Sequence, residues 1–305
     1  MPRLVVLLSA VAVLFASACG GEGSEEAKRG SETGSKGTAA GETARREIAA
    51  KDFDRSLFDD SSTTIDNKWV PYKPGRQWDW KGWTEEDGKR VPHRIVFTVT
   101  DMTKVISGVR AVVGWDRDFS AGKLIESELI FLAQDKYGNV WHLGQYPEIY
   151  DEDGELVGGS AWLVGTLKGA KAGIHMKAEL RLGGAAYSQG YAPPPYNWDD
   201  YSKVYKVGQK TCVPVRCFKD VLVIDEFEPT KPGAHQLKYY APGTGNVRTG
   251  WRGSDPEKEV LVLDKVRHLS REDMAMVRTV VRELEARAYV YGRTSRAKPR
   301  GAEGK

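Results

Sequence analysis

Two acidic residues, Asp116 and Asp118, alternate with Arg117 in a segment whose hydrophobic pattern indicates a β-strand. Side chains two positions apart on a strand lie on the same face, so the two carboxylates point the same way. A pair of carboxylates can hydrolyse a glycosidic bond when the two groups lie at a suitable separation. A solvated strand face explains the same spacing without any activity. Catalysis by strand-borne carboxylates is therefore an alternative hypothesis.

Other patterns for catalysis, metals or cofactors are missing from the 305 residues. Histidines never lie within five residues of each other, so zinc patterns such as HExxH are absent. The glycine-rich segments lack the complete set of a nucleotide loop or a serine nucleophile. The acidic segment 151–155 fits a hairpin turn better than a calcium loop. We therefore expect no cofactor, no metal and no catalytic residue, and a binding protein rather than an enzyme.

The chain starts with a pattern that predicts export. Residues 4–18 carry no charge, and this stretch is too short to span a bilayer of about 30 Å. Its length is typical of the apolar region of a secretory signal. It ends in the small residues 16–18, and Cys19 follows at once. We expect residues 1–18 to be a signal peptide.

The end of this signal resembles the lipobox of bacterial lipoproteins, except that Ala16 stands where that family usually has leucine. The resemblance implies cleavage before Cys19 and attachment of acyl chains such as palmitate to that residue. Two or more acyl chains anchor a protein stably, so the domain would be held at the outer face of the cell membrane. A cleaved signal followed by a chance cysteine is the alternative.

Cys212 and Cys217 are the two other cysteines, and they flank a Val-Pro-Val-Arg segment between two strand-like segments. A single C-x4-C pair is not a common zinc arrangement. In the oxidising compartment that a signal implies, a disulfide across the mouth of a hairpin is favoured over two free thiols. So short a loop predicts a gain of about 2 kcal/mol in stability.

Both ends of the mature chain are polar. Residues 19–45 contain no aromatic or large aliphatic side chain, which predicts a flexible tether. Residues 292–305 hold five basic residues and one acidic residue, and we predict a disordered basic tail. Residues 46–291 would form a single domain. The net charge of +3 indicates no nucleic-acid surface, and we expect a monomer.

The body of the chain alternates apolar and polar residues in short segments, which predicts successive strands. Turn residues separate these segments, among them Asp87-Gly88, Ser107-Gly108, Ala121-Gly122 and Asp153-Gly154. Serial hairpins without intervening helices predict a strongly curved antiparallel sheet or open barrel of meander topology. The spacing of apolar residues over 270–291 predicts one C-terminal amphipathic helix packed against the sheet, with Ser270 as its N-terminal cap.

Nine tryptophans and thirteen tyrosines are many for this length. Most are expected in a β core, but aromatic side chains on a concave face can hold a sugar ring or a lipid chain. Residues 168–198 are rich in Gly, Ala and Pro, and we predict a long surface excursion, either a flap or an insertion with a packing role. The candidate ligand contacts are Trp198, Tyr196, Trp115 and Trp141.

Several segments together resemble an uncharacterised family of predicted secreted lipoproteins from high-GC Gram-positive bacteria. The segments are IDNKWVPYKPGRQWDW (65–80), VTDMTKVISGV (99–109), AQDKYGNVWHLG (133–144), GAKAGIHM (169–176), CVPVRCFKDVLVIDEF (212–227) and QLKYYAPGTGNVR (236–248). The YYAPGTG pattern is also similar to curved-sheet envelope proteins related to lipoprotein carriers. These resemblances imply location and architecture but no activity.

Three functional hypotheses follow. The first is a membrane-anchored, non-catalytic binding module whose curved sheet holds an apolar lipid or an envelope glycan. The second is a cell-envelope hydrolase that uses carboxylates on the strands. The third is a structural or partner-binding lipoprotein that uses its basic tail. A curved sheet filled by its own side chains would exclude the first hypothesis.

Overall fold

A computed structural model describes residues 49–159, 161–288 and 294–302. Two short 3-10 helices, Ala50–Asp52 and Arg55–Leu57, precede the sheet. The strands are β1 (Arg76–Glu86), β2 (Lys89–Ile106), β3 (Val109–Ser120), β4 (Lys123–Gln134), β5 (Val140–Tyr150), β6 (Leu156–Gly159), β7 (Trp162–Leu163), β8 (Lys171–Met176), β9 (Tyr187–Ser188), β10 (Gly190–Tyr191), β11 (Tyr201–Val213), β12 (Arg216–Phe227), β13 (Ala234–Ala241), β14 (Gly245–Gly253), β15 (Val260–His268) and β16 (Lys298–Pro299). The helix α1 spans Arg271–Arg287.

The described strands form one antiparallel sheet in the order β10-β8-β5-β4-β3-β2-β1-β15-β14-β13-β12-β11-β9. The first long strand, β1, pairs with the last long strand, β15, in the middle of the sheet. Two meanders therefore run outwards from this contact, β1 to β5 on one side and β15 to β11 on the other. The predicted fold class, a mainly β antiparallel meander with one C-terminal helix, is confirmed.

Three predicted turns set the register of the first meander. Asp87-Gly88, Ser107-Gly108 and Ala121-Gly122 are two-residue loops in which both residues have positive φ. This is the backbone of a type I′ turn, whose twist matches the twist of the flanking strands. Each loop therefore joins its two strands without an extra residue, and the long strands β1 to β4 follow directly from it.

The helix α1 begins as predicted. The Ser270 hydroxyl accepts a hydrogen bond from the Asp273 amide at 3.0 Å, and the Asp273 carboxylate accepts one from the Ser270 amide at 3.3 Å. This reciprocal pair satisfies two amide groups that the first turn leaves free. Val277, Val281 and Leu284 are buried against the sheet. The helix ends at Arg287, and the last predicted residues, 289–291, lie outside the described residues.

The two faces of the sheet pack into separate cores. Adjacent residues of β3 show this, because Val113 belongs to the core beneath α1 and Val112 belongs to the core on the opposite face. Alternation of side chains along a strand produces this division. The face opposite α1 is not completely filled by its core, and it carries the candidate site.

The predicted disordered tail is wrong for residues 294–302. This segment returns to the sheet, where β16 pairs with β2. The Ala297 amide donates to the Glu285 carboxylate at 3.0 Å, and the Lys104 ammonium donates to the Ser295 carbonyl at 2.8 Å. The basic composition gave no indication of these two partners, which lie far away in the sequence.

The predicted surface excursion, 168–198, is also wrong for its first part. The strand β8 pairs with β5 as a regular member of the sheet, and Ile174 and Met176 are fully buried. Close packing explains the glycine-rich composition here, since a Cβ on Gly173 would lie 1.9 Å from the backbone of Gln189. Only a residue without a side chain allows the two segments to meet.

The predicted signal peptide, Cys19 and the tether lie outside the described residues. Within the described ranges, no helix is both long enough and apolar enough to cross a membrane.

Candidate functional site

A cavity of about 970 Å³ lies on the face of the sheet opposite α1. Strands of both meanders line it, together with the segment 189–200. Ligand pockets in proteins typically have volumes of about 300 to 1,000 Å³, so this cavity has room for a sizeable molecule. The sheet is therefore not filled by its own side chains, which was the condition that would have excluded a binding module.

Four carboxylates form a patch on β3 and β4 at this face. Asp116 lies directly opposite Glu128, and Asp118 lies directly opposite Glu126. Directly opposed residues on antiparallel strands have Cβ atoms about 5 Å apart, and like charges in such pairs destabilise a sheet. Of the four, Asp116, Glu126 and Glu128 line the cavity. A sheet does not gain stability from this arrangement, which points to a role in binding or chemistry.

Burial raises the pKa of these carboxyl groups, and their mutual repulsion raises it further. The pKa of Asp116 rises to about 6. Burial, followed by repulsion from Asp118 and Asp116, raises the pKa of Glu126 to about 8. Burial and repulsion by Glu126 and Asp116 raise the pKa of Glu128 well above its usual range. At neutral pH the patch therefore presents both protonated and ionised carboxyl groups, which donate and accept hydrogen bonds respectively.

His93 forms an ion pair with Asp118, the fourth carboxylate of the patch. It bonds to Asp118 through Nε2, and its Nδ1 lies 3.1 Å from Glu259. Burial opposes a charge on this ring, but the hydrogen bonds to both carboxylates raise the pKa of His93 to about 10. The imidazolium lies between Asp118 and Glu259 and offsets one of their two negative charges.

Acidic residues dominate the rest of the cavity as well. Burial, followed by repulsion from Glu228 and Glu226, raises the pKa of Asp200 to about 7. Lys231 and Lys238 are the only lysines or arginines among the lining residues that the structure describes. Among the described residues, the lining carboxylates number eight: Asp116, Glu126, Glu128, Asp200, Glu226, Glu228, Asp255 and Glu257. A chain with a net charge of +3 thus concentrates negative charge in its cavity.

An aromatic wall faces the cavity at its β5 side. The rings of Trp162 and Trp198 lie 5.2 Å apart with an angle of 30° between their planes, and His142 contacts both rings edge-on. Burial lowers the pKa of His142 to about 3, so this ring is neutral. Tyr196 lines the cavity beside Trp198. Trp162 and His142 are buried behind Trp198, whose partly exposed ring suits an apolar or sugar-ring face of a ligand.

A tyrosine and a histidine pair at the base of the cavity. The Tyr72 hydroxyl lies 3.1 Å from Nε2 of His175. Burial, followed by the nearby charge of Lys238, lowers the pKa of His175 to about 4. Burial also raises the pKa of the Tyr72 hydroxyl. Both groups are therefore neutral at physiological pH, and they serve as hydrogen-bonding groups rather than as charges.

Two of the four predicted ligand contacts, Trp198 and Tyr196, line the cavity, and the other two do not. Trp141 is completely buried in the core beneath α1, where its Nε1 donates to Asp135 at 2.9 Å. Trp115 packs against the same core and donates to the Ser127 hydroxyl. Their side chains point to the opposite face of the sheet, so the assignment of Trp115 and Trp141 to ligand contact is corrected.

The predicted cysteine pair lies at the tip of the hairpin formed by β11 and β12. Cys212 and Cys217 face each other across β11 and β12, with Cα atoms 3.9 Å apart, and they form a disulfide. The turn between them joins the two strands as the sequence suggested. The bond holds the tip of this hairpin together and contributes nothing to the lining of the cavity.

The sequence interpretation missed Glu126 and Glu128. A signal was present, because the two glutamates alternate along the β4 segment as Asp116 and Asp118 do along β3. The predicted turn at Ala121-Gly122 alone would pair Asp116 with Ser127, however, and it is a register shift between Asp118 and Phe119 that brings the two pairs opposite each other. Among the described residues, no group of three or more His, Cys, Asp or Glu side chains is arranged to hold a metal ion.

Comparisons with known proteins return little. No family model matches the chain, and no curated protein matches it. One similar solved structure is a provisionally assigned exported protein with a YmcC-like fold from Bacteroides fragilis, at 15% identity and a TM-score of 0.37. Another is a provisionally assigned lipoprotein from Parabacteroides distasonis, at 13% identity and a TM-score of 0.35. Each match covers 66% of this chain and 99% of the other, and neither source is a high-GC Gram-positive bacterium.

Proposed function

We propose that this protein is an extracytoplasmic, lipid-anchored binding module whose cavity holds a ligand of the cell envelope. The observation that carries the proposal is the open cavity of about 970 Å³ on the sheet face opposite α1. The signal-like residues 4–18 and the lipobox-like Cys19 support its location. The resemblance to secreted lipoproteins of high-GC Gram-positive bacteria belongs to the same proposal.

The lining favours a glycan segment over a purely apolar ligand. A sugar ring has an apolar face that stacks on aromatic rings, and the partly exposed ring of Trp198 provides such a surface. Sugar hydroxyls donate and accept hydrogen bonds, which the carboxyl groups of Glu126 and Glu128 on β4 can satisfy in either protonation state. A lipid chain alone would leave these carboxyl groups without partners, at a cost in free energy.

Native mass spectrometry on protein purified from its own envelope tests the proposal. The Trp198→Ala variant should lose most of a co-purifying ligand, because stacking on one aromatic ring accounts for about tenfold in affinity. Trp251→Ala is the matched control, since Trp251 is exposed and does not line the cavity. A ligand-free wild-type protein, or equal loss from both variants, would contradict the proposal.

A carboxylate hydrolase is the second candidate, and the opposed pair Asp116 and Glu128 favours it. Their pKa values are separated, at about 6 for Asp116 and well above the usual range for Glu128. A protonated acid beside an ionised carboxylate is the arrangement that glycoside hydrolysis uses. Release of sugar from envelope glycans should then vanish in Glu128→Gln and persist in Glu283→Gln, a matched change on the exposed face of α1.

The third hypothesis is binding of a partner through the basic tail, and it assumed that this tail extends freely from the domain. Residues 294–302 pack against β2 and α1 instead of extending from the domain. Pull-down with and without residues 292–305 would still test it, and equal capture by both chains would exclude it.

A further inference from the structure

The hairpin of β11 and β12 projects beyond the rest of the sheet. The strand β13 pairs with β12 only from Leu222 to Glu226, and β9 pairs with β11 only at Tyr201 and Ser202. Residues 205–220, which we call the outer hairpin, therefore form no strand pairs other than those between β11 and β12. The disulfide Cys212–Cys217 holds this projecting segment in a fixed shape.

The outer hairpin is basic and carries exposed apolar side chains. It contains four basic residues and one acidic residue, Asp220. The basic residues, all exposed, are Lys206, Lys210, Arg216 and Lys219. Tyr205, Val207 and Val215 rank among the exposed large hydrophobic residues of the described chain, and Pro214 at the tip is exposed as well. An apolar tip surrounded by cations is unusual on a surface that contacts only water.

The cations of the outer hairpin are available to a partner. Within the described residues, none of the four forms an ion pair with a carboxylate. Lys206 lies over the ring of Tyr205, and Arg216 lies over the ring of Phe218. These contacts orient the two side chains but do not neutralise them. The next lysine along β11, Lys203, differs because it lies 3.6 Å from Asp225.

The chain enters the fold at the same end of the strands as the hairpin tip. The amide of Lys136, in the turn between β4 and β5, donates to the Leu57 carbonyl, and Arg55 lies against Gly108 in the turn between β2 and β3. Antiparallel pairing places these turns and the 213–216 turn at one end of the sheet. A tether from a lipidated Cys19 would therefore reach the domain from this end.

We propose that the outer hairpin docks on the surface of a bilayer that contains anionic lipid. Pro214 and Val215 enter the boundary between headgroups and acyl chains, and the four cations contact the lipid phosphates. Glu226 and Phe227, at the other end of β12, line the cavity. Docking at the hairpin tip thus directs this part of the cavity away from the membrane, a constraint that a flexible tether alone does not impose.

Hydrogen–deuterium exchange of the full chain with vesicles tests the docking. One set of vesicles contains equal parts of phosphatidylglycerol and phosphatidylcholine, and the other contains phosphatidylcholine alone. The readout is the protection of amides in residues 205–220, which is local to the hairpin and does not depend on the anchor. We expect protection on the anionic vesicles and none on the neutral vesicles.

Charge reversal at two positions provides the matched comparison. Lys206→Glu with Lys210→Glu should lower the hairpin's affinity for anionic vesicles by at least about 25-fold, since each basic residue near such a surface contributes about fivefold. Lys89→Glu with Arg90→Glu makes the same charge change on exposed residues at the opposite end of the sheet, and it should leave the protection unchanged.

Three results would overturn the proposal. The first is equal protection on both kinds of vesicle, and the second is an equal loss of protection in both double variants. The third is full protection by soluble polyphosphate without vesicles, which would identify the outer hairpin as a surface for anionic polymers instead of a bilayer. None of these results bears on the cavity, so the proposed binding function is tested separately.

Discussion

Asp116 and Glu128 lie directly opposite each other on neighbouring strands, on the face that lines the cavity. Opposed carboxylates repel when both are ionised, and the resulting cost falls on the folded state. The neighbouring residue, Glu126, adds a third carboxyl group to the same wall. The fold therefore maintains a patch whose mutual repulsion decreases when its carboxyl groups hold protons.

The first prediction concerns the pH dependence of stability. The pKa of Glu126 is about 8 in the folded protein, above its ordinary value, so the folded state binds more protons than the unfolded state between about pH 4 and pH 8. Stability from this group is present below that window and is lost as the pH rises through it. The Glu126→Gln variant should match the wild type at about pH 4 and be about 1 to 2 kcal/mol more stable at about pH 8.

Urea unfolding followed by circular dichroism at several pH values measures this effect. Glu283→Gln is the control, because Glu283 lies on the exposed face of α1 and does not line the cavity. Its curve should run parallel to that of the wild type. A constant offset between Glu126→Gln and the wild type at every pH would contradict the assigned protonation of the cavity wall.

A second prediction concerns the buried ion pair between Lys104 and Glu285. Lys104 is almost completely buried, and its ammonium lies 3.0 Å from the Glu285 carboxylate, which joins β2 to α1. Lys104→Met leaves Glu285 as an uncompensated buried charge, and this should cost about 3 to 5 kcal/mol. The urea midpoint should fall accordingly.

The double variant Lys104→Met with Glu285→Leu separates the charge from the packing. Replacing both partners removes the isolated charge, so the protein should recover much of its stability. Two groups of the returning tail, the Ser295 carbonyl and the Ala297 amide, still lose their partners, at about 1 to 3 kcal/mol. Equal destabilisation of the single and double variants would show that the ion pair has no special role.

Local sequence signals were sufficient for much of the fold. The turns at Asp87-Gly88, Ser107-Gly108 and Ala121-Gly122 require positive φ, and the Ser270 cap marks the start of the helix; all four appear in the structure. Short-range chemistry determines such features, so they can be predicted from neighbouring residues. The pairing of β1 with β15 joins residues that lie far apart in the chain, and no local pattern predicts it.

The candidate site was less predictable for the same reason. The predicted contacts Trp198 and Tyr196 line the cavity, whereas Trp141, predicted as a contact as well, is completely buried and does not. An aromatic residue on a strand faces one side or the other according to register, and β-bulges shift that register. The pairing of β4 with β5 shifts between Phe131 and Leu132, close to the partner of Trp141. Such irregularities are not visible in hydrophobic alternation.

A third prediction concerns the disulfide of the outer hairpin. Replacing Cys212 and Cys217 by serine should lower the free energy of unfolding by about 2 kcal/mol, because the bond closes only a short loop. It should also raise hydrogen exchange in residues 205–220 while leaving the cavity strands unchanged. Thiol titration of the unfolded wild type should find two more free thiols after reduction than before it. Unchanged titration would exclude the bond.

The last prediction separates the two tryptophans that the sequence treats alike. Trp141 donates from Nε1 to Asp135, whose carboxylate also accepts the Tyr137 and Asn139 amides and thereby holds the turn before β5. Trp141→Phe keeps an aromatic ring but removes this donor and leaves a gap in a fully buried site. We expect a loss of about 2 to 3 kcal/mol in urea unfolding, with the quantity of co-purified ligand unchanged. Trp198→Ala should give the reverse, a small change in stability and a large loss of ligand.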